Sequence, residues 1–389
     1  MSLALPRRDF APELVAHGDL VLAELGPAVS AADPTGSVAP RNRLLCAGLG
    51  LLGVAAYRAL GGVGREAEVG RAGAMLSLIT KIDDQVIDAL DFHGGAITDR
   101  DELCRRTRAF LAPTLVSIRD ARAPNAPPNA RNAPPNARNA PRAPPDPRCA
   151  FAAELGVALR ALAADGARLD RVLATIAAGW EVQVEAVRVL TSHPSAVTRA
   201  EVAAVTRSIS GLWLLMIARL GELPGDASRA FTPAEEEGFL AWGWAIQRAD
   251  ALADLAKDLA DGHLSSWPGR LLWERAPEAY LDAAARGDAT AIYALLRAHE
   301  VERDCLPDAA EAKRLEAALP ALGEVPDLLA WIHAYLARRY LGHPLHALTA
   351  TGPPAMGAPA MGAPAPRSPA CARLFPEPAA PRTPPCSAP

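Results

Sequence analysis

A mainly α-helical protein is the fold class that this chain predicts, on three observations. Ala and Leu dominate a composition that is 50% hydrophobic but only 5% aromatic, and β-branched residues do not cluster. Long runs free of Gly and Pro are separated by short Gly- and Pro-containing breaks. No stretch alternates apolar and polar residues as a half-buried strand would, and there is no βαβ rhythm. At 389 residues the chain is long enough to bury a large core.

Taken in order, residues 1–11 read as irregular and Pro12 to Glu24 as a short amphipathic helix. Gly26 to Arg41 reads as a loop. A buried helix is expected from about Arg43 to Leu60, closed by Gly61-Gly62. It contains the most apolar run, Leu44–Ala56, which is too short to span a bilayer. The next helix runs from about Arg65 to Phe92, before Gly94-Gly95. Thr98-Asp99-Arg100-Asp101 then opens another that reaches about Leu111. From about 121 to 148 the sequence becomes a repeat of Pro, Asn, Ala and Arg, APNAPPNARNAPPNARNAPRAPP, which reads as a disordered insert. Helices resume at about Cys149–Asp165, Arg168–Leu190, Arg199–Leu223 and Pro233–Gly262. Shorter ones follow at Arg270–Arg286, Ala289–His299, Ala309–Ala318 and Pro326–Leu341. The organisation is thus one helical domain over 1–348 with an insert, and a disordered Pro- and Ala-rich tail over 349–389.

Several function classes lose support. A net charge of −4 gives no electrostatic case for nucleic acid. A P-loop and a nucleophile elbow are missing. The six cysteines are far apart, with no zinc-ligand spacing, so a reducing cytoplasm is the expected compartment. The N-terminus carries no apolar signal core.

Two acidic stripes carry the chemistry. In WGWAIQRADALADLAKDLADG, Trp242 to Gly262, a single helix puts Asp250, Asp254 and Asp258 within roughly 80° of one another. Gln247 and Asp261 lie near the same line. Far upstream, Asp84, Asp88 and Asp91 fall on one line of their helix, with Asp83 about 100° aside. Like charges at i,i+4 cost a helix a few tenths of a kcal/mol each, so such stripes need water or a cation. A solvated polar face with Lys81, Arg248 and Lys257 as counter-charges explains either stripe alone. The apolar neighbours Leu76, Ile79, Val86, Ile87, Ile246, Leu252 and Leu255 argue instead for enclosed helices, where carboxylates must be paired or metal-bound. Facing carboxylate pairs suit Mg²⁺, which fills its remaining positions with water and phosphate oxygens. Such a site would hold a diphosphate and stabilise it as a leaving group. Trp180, Trp213, Trp242 and Trp244 are the candidate aromatic faces for the cation left behind.

These segments resemble the squalene and phytoene synthases. RAGAMLSLITKIDDQVID, Arg71 to Asp88, is similar to their first aspartate-rich helix. Gln247, Asp250, Asp254, Asp258 and Gly262 fall in register with the second, with Asp250 where Asn is usual. TRSISGLWLLMIARL, Thr206 to Leu220, resembles the helix between. The likeness covers roughly residues 65–300. It implies an all-α, class I isoprenoid-synthase helical bundle around a central cavity. It further implies a prenyl-group transferase that joins two allylic prenyl diphosphates head-to-head, with Mg²⁺ as cofactor. Asp83, Asp84, Asp88, Asp250, Asp254 and Asp258 would then be the metal ligands. Asp84, Asp88, Asp254 and Asp258 would be catalytic, and Lys81, Gln247, Arg248 and Lys257 would bind substrate.

The pattern also departs from the family. The first motif reads DDxxxD, one residue longer than usual. Arginines that commonly flank the motifs fall at Thr80, Ala253 and His263; Lys81, Lys257 and Arg270 are the candidates to replace them. Other class I enzymes, a terpene cyclase or a chain-elongating synthase, stay open, as does a family member that binds without catalysis. Peripheral membrane contact is compatible with greasy substrates, although no anchor is visible. Chain length of the substrate, use of a reductant and oligomeric state stay open.

Overall fold

A computed structural model describes residues 8–89, 92, 99–121 and 146–342, and among these every regular element is helical. The repeat expected to be disordered falls mostly in 122–145 and the tail in 343–389, both outside the described residues, as does Asp91.

The first helix, α1 (Ala11–Ala32), runs well past its expected end at Glu24, through Gly26 and Pro27. Burial of Leu25, Val29 and Ala32 outweighs the hydrogen bond that the proline removes. The chain turns instead at Asp33, whose carboxylate accepts from the Ser37 and Val38 amides at 2.8 and 3.0 Å and pairs with Arg43 at 2.8 Å. The helix expected over 43–60 is two, α2 (Pro40–Gly48) and α3 (Gly50–Ala59), joined at Leu49. Gly50 lies hard against the next helix, where a Cβ would come within 2.2 Å of the Gly70 carbonyl oxygen. That next helix, α4 (Glu66–Ile87), stops five residues before Phe92, with Asp88 as its C-cap and the Asp88 amide bonded to the Asp84 carbonyl at 2.9 Å.

Helix α5 (Arg100–Asp120) continues through Pro113 past the expected stop at Leu111, and Asp99 caps its start by accepting from the Asp101 and Glu102 amides. Helix α6 (Pro147–Leu162) begins inside the stretch assigned to the insert, with Asp146 as N-cap. Two residues of difference matter here, because Arg148 is one of them.

The centre is built by α7 (Gly166–Leu190), α8 (Arg199–Arg219) and α9 (Pro233–Ala253), with α8 packed between the other two. Capping boxes open α8 at Thr198/Glu201 and α9 at Thr232/Glu235. A Cβ on Gly243 would sit 2.1 Å from the Gly211 amide nitrogen, so these two glycines let α8 and α9 close up. The expected single helix Pro233–Gly262 is interrupted at Asp254 (φ −105°, ψ 5°), and α10 (Leu255–Ala260) resumes beyond it. Likewise the expected Arg270–Arg286 is α11 (Trp267–Arg275) and α12 (Pro277–Ala285), split at Ala276, which precedes a proline and leaves the helical region. Short helices α13 (Ala289–Ala298), α14 (Val301–Cys305) and α15 (Ala309–Glu316) lead to α16 (Val325–Leu341), which returns along α9.

Ala11–Ala32 and Arg199–Glu222 are long and apolar enough to cross a bilayer, yet half of the apolar window in the second is buried inside the fold. Core burial accounts for that apolarity equally well.

Candidate metal and diphosphate site

Helix α4 presents the first stripe at its C-terminal end. Lys81 and Asp84 form an i,i+3 ion pair, both side chains partly open to solvent. Asp88 follows as the helix cap. On the far chain segment, Asp250 lies in the last turn of α9, Asp254 at the break and Asp258 in α10.

The fold brings these two stripes together. Burial, then the charges of Asp254 and, across the interface, Asp84, push the Asp250 carboxyl up to about 6. Asp258 is raised by burial and by Asp254, Asp250 and Asp88. Burial and Asp84 raise Asp88, while Lys81 and Lys257 oppose them. Burial acts to lower Lys81, but Asp84, Asp88 and Asp250 together lift it above its ordinary value. A direct approach closes the gap: His263 Nε2 lies 4.0 Å from Asp88 Oδ1. Asp250 and Asp254 keep 36% and 30% of their side-chain exposure, so a ligand can reach them.

Two expected members stand elsewhere. Asp83 is buried and its Oδ1 accepts from Arg148 Nη1 at 2.9 Å. Its other neighbours are Trp180 on α7 and Thr114 on α5, none of them on the second stripe. The 100° step between adjacent helical residues turns Asp83 toward α5–α7 as it turns Asp84 toward α9. Asp83 therefore stands apart from the carboxylates that the fold brings together. Arg248 likewise stands apart from the other substrate-binding candidates. It is 5% exposed, donates to the Asp304 carbonyl oxygen at 3.0 Å and to Glu311 at 2.5 Å, and lies over the Trp244 ring. A guanidinium so engaged ties α9 to α14 and α15.

Gln247 accepts a hydrogen bond from Ser210 Oγ, pinning α9 to α8 beside the stripe. Lys257 pairs with Asp261 at 2.7 Å and feels Asp88. Lys81 and Lys257 thus remain beside the carboxylates as expected.

One cation escaped the sequence reading. Arg339, in the last turn of α16, pairs with Asp254 and lies 3.6 Å from Asp250. Its position beside Arg338 is explained by the helix C-terminus alone, so spacing carried no signal of a partner so far upstream.

Of the tryptophans, Trp180 and Trp213 line a crevice with Thr80, Asp83, Asp84 and Met216. Trp242 is core, and Trp244 packs edge-on against Trp267 with ring centres 4.8 Å apart. The crevice has room for about one water molecule. Trp180, Trp213 and Met216 wall this narrow space, where the resemblance implied a central cavity.

Among the described residues no three His, Cys, Asp or Glu side chains converge to hold an ion by themselves. Mg²⁺ does not require such a cage, since it binds through one or two carboxylates and completes its shell with water and phosphate. Clustered carboxyls raised by burial and then by one another's charge fit that donor set. No protein-family model and no curated protein matches the chain.

Proposed function

We propose that the chain is a Mg²⁺-dependent prenyl-diphosphate enzyme of the squalene/phytoene synthase type, with an isoprenoid-synthase-like bundle, joining two allylic diphosphates head-to-head. The observation that carries this reading is the approach of two acidic stripes, far apart in sequence, with lysines and an arginine at their edges. Asp84 and Asp88 would hold metal from α4, and Asp250, Asp254 and Asp258 from α9 and α10. When bound, Mg²⁺ supplies Lewis-acid stabilisation of the departing diphosphate. Lys81, Lys257 and Arg339 would take up the diphosphate oxygens, releasing the carboxylates they now neutralise. Gln247 holds α9 in register on α8, and Trp180 and Trp213 would face the cation. Because the crevice is narrow, the helices around it must part to admit a prenyl chain.

A second reading is supported by the same ion pairs. Asp84 with Lys81, and Asp254 with Arg339, already form an internally balanced network, as a non-catalytic binding protein would keep. Purified protein incubated with farnesyl or geranylgeranyl diphosphate and Mg²⁺, followed by extraction of apolar products, decides between them. A C30 or C40 product that consumes two substrates supports head-to-head joining. A cyclised or elongated single skeleton moves the chain to another class I activity. Diphosphate- and Mg²⁺-dependent thermal stabilisation without turnover supports the binding protein.

A further inference from the structure

Helix α10 is held lightly. Of the residues in Leu255–Ala260, only Leu255 is buried. The segment is bounded by two departures from helical backbone, Asp254 (φ −105°, ψ 5°) before it and Gly262 (φ +83°) after it. Gly262 stands in the left-handed region, which glycine enters without steric penalty. A short segment with little buried apolar surface belongs to the low-stability end of a fold. Joints at the ends of elements are where hinge motions are absorbed.

Space lies behind this helix. Ala256, Leu259 and Ala260 line a pocket of about 50 Å³, with Ala283 and Ala284 of α12 and Ile292 of α13 among the residues opposite. At about 100° per residue, these three side chains of α10 point roughly 180° away from Asp254, Asp258 and Asp261. The helix therefore turns its acids toward Asp88 of α4 and its small apolar groups toward the pocket. After burial, the charges of Asp254, Asp250 and Asp88 all oppose ionisation of Asp258. Lys257 relieves part of this while paired with Asp261 at 2.7 Å.

We infer that α10 is a cation-operated strap, pivoting at Asp254 and Gly262. It withdraws from α4 into the pocket while its carboxylates repel one another, and is drawn back toward Asp84 and Asp88 once a divalent cation and diphosphate neutralise them. The strap rests on the proposed metal and diphosphate site. The pocket makes the motion cheap, because no close-packed core has to be displaced. Chains in the withdrawn position lower the apparent affinity by the fraction left competent. The size of the pocket therefore sets how readily the site assembles.

Hydrogen exchange on the full chain reads the strap directly. Mg²⁺ with pyrophosphate is expected to slow exchange of the amides of 255–263 at least about tenfold, with α12 and α13 little changed. Pyrophosphate that binds by calorimetry but leaves this exchange unaltered overturns the strap and spares the site. No binding of pyrophosphate overturns both. Two variants on the pocket side move affinity in opposite directions. Ala284→Leu fills the pocket and blocks withdrawal, so binding of pyrophosphate with Mg²⁺ should tighten about threefold. Leu259→Ala enlarges the pocket and should weaken binding by a similar factor, with faster exchange in α10 before ligand is added. Neither side chain lies on the acidic face, so unchanged affinity in both, or the reverse order, overturns the strap. If circular dichroism shows that Ala284→Leu does not fold, Leu259→Ala decides.

Discussion

His263 Nε2 lies 4.0 Å from Asp88 Oδ1, so the turn after the second acidic stripe touches the end of the first. The contact joins the two segments at the mouth of one electrostatic field. Asp88 in turn acts on Asp258, and Asp84 on Asp250. The expectations below follow from which side chains share that field and which do not.

Asp84→Ala and Asp254→Ala should each lower turnover at least about a hundredfold, as expected for loss of a group that stabilises developing charge. Both side chains are partly exposed, so neither change should disturb the helical circular dichroism. Full activity in both variants would remove the metal-site assignment.

Asp83→Ala should behave differently. It leaves Arg148, 11% exposed at its side chain, with the more distant Asp146 carboxylate at 3.8 Å as its counter-charge. A loss of about 3 kcal/mol or more in urea unfolding is expected. Wild-type stability in this variant would contradict the buried pair.

Arg339→Gln removes the cation that links α16 to Asp250 and Asp254. Binding of pyrophosphate with Mg²⁺, followed by calorimetry, should weaken about tenfold, or roughly 1.4 kcal/mol. Tighter pyrophosphate binding would show that Arg339 only competes with the ligand.

Acid stability should depend on His333. Burial, and then the charge of Arg248, lower its pKa to about 4 from a usual 6.5. A base whose folded pKa is depressed binds fewer protons folded than unfolded. Its contribution is therefore intact above pH 6.5 and lost as pH falls toward 4, by up to about 3 kcal/mol. Replacing it, as in His333→Leu, should flatten the fall in urea midpoint between pH 7 and 4.5; an unchanged slope would place the acid sensitivity elsewhere.

Much of this protein was legible in its residues. Ala- and Leu-rich periodic runs settle that it is all-α, because helix propensity and amphipathic spacing are local properties. The same 3.6-residue period placed Asp84 with Asp88, and Asp250 with Asp254 and Asp258, on common faces. Helix ends were legible only in part. Pro27 and Pro113 were overridden by burial, whereas no Gly or Pro announces the break at Asp254, whose carboxylate pairs with Arg339 of α16.

Tertiary structure alone decided which partner each charge would have. Arg148 took Asp83 beside the stripe, Glu311 and the Asp304 carbonyl took Arg248, and Arg339 entered from the last helix. Spacing along a helix specifies the direction of a side chain, but a charge is satisfied by whatever the fold sets opposite it. That opposite group comes from another helix, at a distance in sequence that no periodicity records. His263 against Asp88 is such a meeting.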